Sequence, residues 1–373
     1  MRRWSASLRM LCGQALLACA GLLLTDVAWA LGKRPVREPE VRYVREVWLD
    51  AARQRHVNVR IALPTREATR EAARQRREPM PVMLFSAPQG FRWGGYSDHY
   101  EDLSQEMLRR GVVTVTLSHY DIDEPMNAHE RFADVYPGIQ TGTRHDAAVD
   151  RFEDALFVLQ QLETLGKARA GDWPILNLDK LAVAGHSSGT LTALHLAGMP
   201  VRDKAGQVFA THRDPRIKAF VLYSFPLEYR GPSREDLKQV GAVAGLHVAG
   251  SNDHPQYRNT SYRYVHRAPQ HWLVAEGGHN IGSTGSEALV LEVSGSFIDV
   301  YLNGQAAQRS RLSSEALASF GPALVQLSSK PATRFKPLDR RDFVAWAREA
   351  LPGGRWLHDQ AMLQSRSREG AAR

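Results

Sequence analysis

From Pro79 onward the chain alternates short apolar stretches with longer amphipathic ones, and this alternation limits the possible folds more than any other feature. Residues 82–86, 112–117, 181–184, 217–223, 246–249 and 272–275 are apolar and often β-branched, without a clean period of two. Such runs suit strands covered on both faces. Between them, residues 100–110, 150–165, 188–197 and 287–302 carry helical patterns. The second is the clearest, with Phe152, Leu156, Leu159 and Leu162 at near-helical spacing before Gly166 ends it. Strands alternating with helices predict an α/β protein with a mostly parallel central sheet and helices on both faces. Ahead of them, residues 41–49 (Val41, Tyr43, Val47, Leu49) and 56–63 (Val57, Val59, Ile61, Leu63) predict a β-hairpin. Residues 65–78 are Arg, Glu and Ala in mixed sign and read as a solvated excursion.

The amino terminus decides how the composition is to be understood. Arg2, Arg3 and Arg9 precede a mostly apolar run from Met10 to Leu24, and Ala28-Trp29-Ala30 offers small residues for cleavage. Residues 1–30 therefore predict an export signal cut after Ala30, and a periplasmic or secreted mature chain. A lipoprotein anchored at Cys19 is the alternative, although the apolar run continues past that cysteine. The run is shorter than the 18–20 residues a spanning helix needs, and no transmembrane segment is expected after cleavage. Both cysteines, Cys12 and Cys19, lie in this segment, so a mature chain from Leu31 would have no disulfide and no cysteine-based metal site.

The formal charge of +8 comes from 48 basic and 40 acidic residues. Removing Arg2, Arg3, Arg9 and Asp26 leaves 45 and 39, a surplus of 6 spread among mixed charges. Nucleic-acid binding is not needed to explain it. Of 373 residues, 31–303 are expected to form one catalytic domain and 304–373 a partly helical carboxy-terminal extension. Within that extension, residues 339–351 predict an amphipathic helix with Asp339 as N-cap.

The sharpest local signal is Gly185-His186-Ser187-Ser188-Gly189, directly after a predicted strand and before a predicted helix. In that context G-x-S-x-G makes a tight turn that exposes the central serine, so Ser187 is the candidate nucleophile. The backbone N–H of Ser188, at the start of the helix, is a candidate oxyanion donor. A serine nucleophile needs a base, and His279 follows the last predicted strand in a glycine-flanked loop, with His271 and His266 as nearest rivals. Asp253, just past the strand at 246–249, is the candidate carboxylate that orients the imidazole. The second oxyanion donor is expected in the loop after Ser86: Gln89, or alternatively Gly90, because Pro88 has no N–H. His186 is expected to pack behind the site and not to act as a base. Trp93, Tyr96 and Tyr120, with the long segment at 119–143, are candidates for lining a substrate pocket. Asp121, Asp123 and Glu124 lack the spacing of a calcium loop, and no metal site is expected.

On these residues the chain resembles the α/β-hydrolases of the dienelactone hydrolase-like and platelet-activating-factor acetylhydrolase-like group. The likeness covers about residues 41–303. It rests on Leu84-Phe85-Ser86 with the loop to Tyr96-Ser97, Arg151-Phe152-Glu153-Asp154 with 156–162, 181–189, 214–219, 246–253 and 277–280. The resemblance implies an α/β-hydrolase fold and hydrolysis of a small-molecule ester through an acyl-serine, without a cofactor. One departure stands out: where the group carries His-Gly after Phe-Ser, this chain has Ala87-Pro88. That departure leaves open a hydrolase-fold protein that binds without turnover. A serine peptidase would use the same triad.

Overall fold

The computed structural model describes residues 41–75, 78–88, 100–119, 147–169, 172–203, 205–226, 232–280 and 285–332. The expected signal segment, Gln89, Trp93, Tyr96, Tyr120, the acidic group at 121–124 and the helix at 339–351 lie outside these residues.

A nine-stranded mixed sheet organises the chain, in the order β1-β2-β4-β3-β5-β8-β9-β10-β11. Its strands are β1 (Val41–Asp50), β2 (Arg55–Pro64), β3 (Met80–Ser86), β4 (Val113–Ser118), β5 (Leu176–His186), β8 (Ile217–Tyr223), β9 (Ala244–Gly250), β10 (Gln270–Ala275) and β11 (Leu324–Lys330). The short strands β6 (Val201–Arg202) and β7 (Val208–Ala210) pair separately. The neighbours from β4 through β10 are all parallel, while β1, β2 and β11 join antiparallel at the two ends. This is the α/β-hydrolase fold. Helices cover both faces. On one, α3 (Ala147–Ala168) and α4 (Gly189–Leu196) pack against Val82, Val183 and Phe220; on the other, α2 (Glu101–Arg109) and α8 (Glu287–Tyr301) pack against Phe85, Ala184 and Leu246. Strands β4, β9 and β10 are buried along their whole length, which explains their lack of alternation.

Three features depart from the sequence expectations. Residues Arg66–Arg74, expected as a solvated excursion, form helix α1, started by the Thr65 hydroxyl, which accepts from the Ala68 N–H at 3.2 Å. Ala, Glu and Arg are strong helix formers, and the helix buries Thr69. In the hairpin, Val47 and Leu49 are 59% and 52% exposed while Trp48 and Asp50 are buried. β1 is an edge strand, and Trp48 enters the core while Asp50 holds the turn through Arg53 at 2.7 Å. Finally, the sheet does not end at Asn303: β11, from the segment expected as an extension, pairs with β10.

The sheet order also contains a switch point. The chain passes from β3 to β4 on one side and then crosses to β5 on the other, so the direction of winding reverses between β3 and β5. Ligands of open α/β sheets bind at such switch points. Register aligns Ser86 with Gly185, His186 with Tyr223, and Ala275 with Gly250, bringing the strand ends that precede every candidate residue to one edge.

Candidate active site

Ser187 sits between β5 and α4 with φ of +53°, in the left-handed region that non-glycine residues avoid. The turn is held on both sides: Ser187 N–H donates to the Tyr223 carbonyl at 2.9 Å, and the Ser187 carbonyl accepts from the Thr190 N–H at 3.1 Å and its hydroxyl at 2.5 Å. Two flanking glycines are required by contact. A Cβ on Gly185 would lie 2.1 Å from the Gly189 carbonyl oxygen, and one on Gly189 would lie 2.0 Å from the Ser86 carbonyl oxygen. The strand-to-helix bend therefore closes only with hydrogen at both positions. Ser188 occupies the N-cap of α4, where backbone N–H groups face outward from the helix start.

Asp253 and His279 come together from adjacent loops. After β9, Ser251 and Asn252 donate their N–H groups to the carbonyls of Ala275 and Gly277, each at 2.8 Å. A Cβ on Gly250 would meet the Gly278 carbonyl at 2.3 Å, so these loops pack backbone to backbone. The result is a hydrogen bond from His279 Nδ1 to Asp253 Oδ2 at 3.0 Å. With Nδ1–H given to the carboxylate, Nε2 is left as the basic nitrogen. The imidazole is 37% exposed and the carboxylate 7%. Burial pushes the Asp253 carboxyl up, but the hydrogen bond and charge of His279, the charge of Arg258 and the Ser224 hydroxyl outweigh it, and its pKa falls below the usual range.

The backbone under the imidazole is pinned as well. The His279 carbonyl accepts from the Ser224 hydroxyl and from His186 Nε2, both at 2.9 Å. His186 Nδ1 in turn accepts from the Tyr100 hydroxyl at 2.7 Å. Burial above all, with the neighbouring His279, pushes the His186 pKa down to about 3, so the ring is neutral and serves as donor on one side and acceptor on the other. The His186 and His279 rings lie 4.9 Å apart, which sets the exposed imidazole beside the residue preceding Ser187. Among the described residues no hydrogen bond joins the Ser187 hydroxyl to His279. Such contacts are often long without substrate and tighten in the complex.

The rival histidines are elsewhere. His271 is buried with its nitrogens bonded to the Tyr301 hydroxyl at 2.9 Å and the Ser329 hydroxyl at 2.7 Å, and burial pushes its pKa down to about 4. His266 donates to the Tyr264 carbonyl at 2.9 Å.

Two groups escaped the sequence. Arg258, in the short helix α6 (Pro255–Arg258), places Nε 2.6 Å from Asp253 Oδ2 and 2.7 Å from the Asp253 carbonyl, and its Nη1 reaches the Phe225 carbonyl at 2.7 Å. Nothing in its local pattern marks it, because the contact depends on how two loops meet. The other group surrounds the end of β3. Ser86 Oγ bonds His119 Nε2 at 3.0 Å, and His119 Nδ1 bonds Asp154 Oδ2 at 2.9 Å. Asp154 also takes Arg53 and Arg55 at 2.8 Å, and Arg151 donates to the carbonyl of Ala87. This buried cluster anchors the chain as far as Ala87, next to the expected oxyanion loop. The stretch 151–154 belonged to the motif behind the family resemblance, but its partners were not legible. Among the described residues no group of three His, Cys, Asp or Glu is placed to hold a metal ion, and no helix is long and apolar enough to cross a membrane.

No family model matches the chain. No curated protein matches it either. Solved structures do align with it. A dienelactone hydrolase from Anabaena variabilis is 14% identical, with 71% of this chain and 100% of that chain covered and a TM-score of 0.44. A cold-adapted esterase from an Arctic intertidal metagenomic library is 15% identical, with 72% and 97% covered and a TM-score of 0.45. A ferulic acid esterase from Streptomyces cinnamoneus is 15% identical, with 73% and 93% covered and a TM-score of 0.43.

Proposed function

We propose that this chain is an exported serine hydrolase that cleaves a small carboxylic ester through an acyl-serine. The observation that carries this reading is the 3.0 Å His279–Asp253 hydrogen bond, set beside a serine held at φ +53° in a strand-to-helix turn. In the proposed reaction Ser187 Oγ attacks the ester carbonyl while His279 Nε2 takes its proton. Asp253 stabilises the imidazolium that forms. The tetrahedral oxyanion is met by the Ser188 N–H and by that of Gln89, each such donor contributing about 3–4 kcal/mol to transition-state stabilisation. His279 then protonates the leaving alkoxide. Water, activated by the same imidazole, releases the acid and restores the hydroxyl. Trp93, Tyr96 and Tyr120 are proposed to contact the substrate.

Turnover of a panel of p-nitrophenyl esters of increasing acyl length tests the assignment. Asp253→Asn is expected to lower kcat roughly 10⁴-fold with folding intact, because the imidazole loses the partner that fixes its tautomer. Near-native turnover in that variant would place the acid elsewhere. Export is tested separately by sequencing the amino terminus of the protein recovered from a bacterial periplasm. A start at Leu31 supports it, and a retained Met1 contradicts it.

A further inference from the structure

The base is also held by a charge that the proposed reaction does not itself require. Asp253 Oδ2 accepts from His279 Nδ1 at 3.0 Å and forms an ion pair with Arg258, whose Nε lies 2.6 Å away and whose Nε–H donates to the Asp253 carbonyl, so a buried guanidinium sits against the carboxylate oxygen that supports the imidazole. Arg258 further reaches the carbonyls of Asp253 and Phe225 at 2.7 Å and of Ser224 at 3.3 Å, tying the loop after β8 to the loop after β9. Ser224 closes the circuit, since its hydroxyl donates to the His279 carbonyl.

We propose that Arg258 is a positioning residue that both locks Asp253 in place and offsets part of the negative field that Asp253 presents to His279. The proposal rests on Ser187, His279 and Asp253 being the reacting set. A carboxylate alone favours the imidazolium, and a cation sharing that carboxylate offsets part of the effect. The other titratable groups facing the pair do not replace it: His186, from the end of β5, is neutral with Tyr100 behind it, and exposed His254, next to Asp253, lies against Tyr257. The same guanidinium makes the imidazolium less stable in the reaction, so holding Asp253 in place costs some catalytic power.

The test compares native protein with Arg258→Lys, Arg258→Gln and Arg258→Met, using the acidic limb of kcat/KM against pH and, without substrate, the NMR titration of the His279 ring. In the Gln and Met variants both midpoints should rise by roughly one pH unit, and in the Lys variant they should stay within a few tenths while kcat falls. Unchanged midpoints in the uncharged variants, with only kcat reduced, would leave Arg258 a structural clamp and overturn the proposal. Should one uncharged variant fail to fold, the other decides, and midpoints shifted from native in Arg258→Lys would overturn the proposal in either case. A native protein that hydrolyses no ester would instead defeat the functional reading, while the ring titration would still report the field of Arg258.

Discussion

At the scale of single residues the site is built from positions where one extra atom is too many or one donor too few. Gly189→Ala would drive a Cβ to within 2.0 Å of the Ser86 carbonyl, a backbone atom that cannot swing aside. The expected cost is about 3 kcal/mol or more, read as a lower urea midpoint together with loss of ester turnover. A native midpoint would mean that the elbow opens more easily than its contacts indicate. His186 makes a different demand. His186→Phe removes a donor to the His279 carbonyl and leaves the buried Tyr100 hydroxyl without its acceptor, which should cost about 1–3 kcal/mol. Acylation should slow in the same variant as the loop carrying His279 loosens.

At the scale of elements, the end of β3 is the feature that the strand pattern alone does not explain. Ser86, His119 and Asp154 come from β3, the end of β4 and helix α3, and their shared hydrogen bonds hold these elements in one register. Burial opposes the charge on Asp154, but His119 and Arg55 prevail and hold its carboxyl far below the ordinary carboxylate range. Its contribution to stability is therefore present above about pH 4 and drains away as the pH falls further. Asp154→Asn should cost about 3 kcal/mol at pH 7, because the buried charge shared by His119, Arg53 and Arg55 is lost while Arg53 keeps Asp50. The loss should shrink when unfolding is measured at pH 3. Equal losses at both values would show that the charge is unimportant.

Elements also mark where sequence patterns stop being informative. The parallel strands were legible because burial on both faces forces continuous apolar runs, and residues 217–223 coincide with β8. Helix α1 was missed because its inward side, where Thr69 is buried, offers only small residues among Arg and Glu. Strand β11 was missed because it is partly exposed and polar, and takes its register from β10. In the candidate site, the turn at Ser187 and the meeting of Asp253 with His279 could be anticipated because each residue follows a recognisable strand. Arg258, His119 and Tyr100 could not, since their roles arise from contacts between segments far apart in the chain.

For the whole molecule, a set of neutral buried histidines predicts acid sensitivity. Burial pushes His186 and His247 down to about 3 and His195 and His271 to about 4. Unfolded, each would titrate near 6.5, so between that value and about pH 4 unfolding takes up protons. Their stabilising effect is complete above pH 6.5 and is lost progressively below it. The urea midpoint should accordingly fall between pH 7.5 and pH 5, before the carboxylates titrate. A flat midpoint over that interval would mean that these rings are charged in the folded protein.

The measurement that bears most directly on the central claim is labelling by a fluorophosphonate, followed by intact mass. The native protein should gain the mass of one phosphonyl group at Ser187, Ser187→Ala should gain none, and His279→Ala should react far more slowly. A native chain that stays unlabelled, or a Ser187→Ala variant that labels as fast as native, would contradict the assignment of Ser187 as an activated nucleophile.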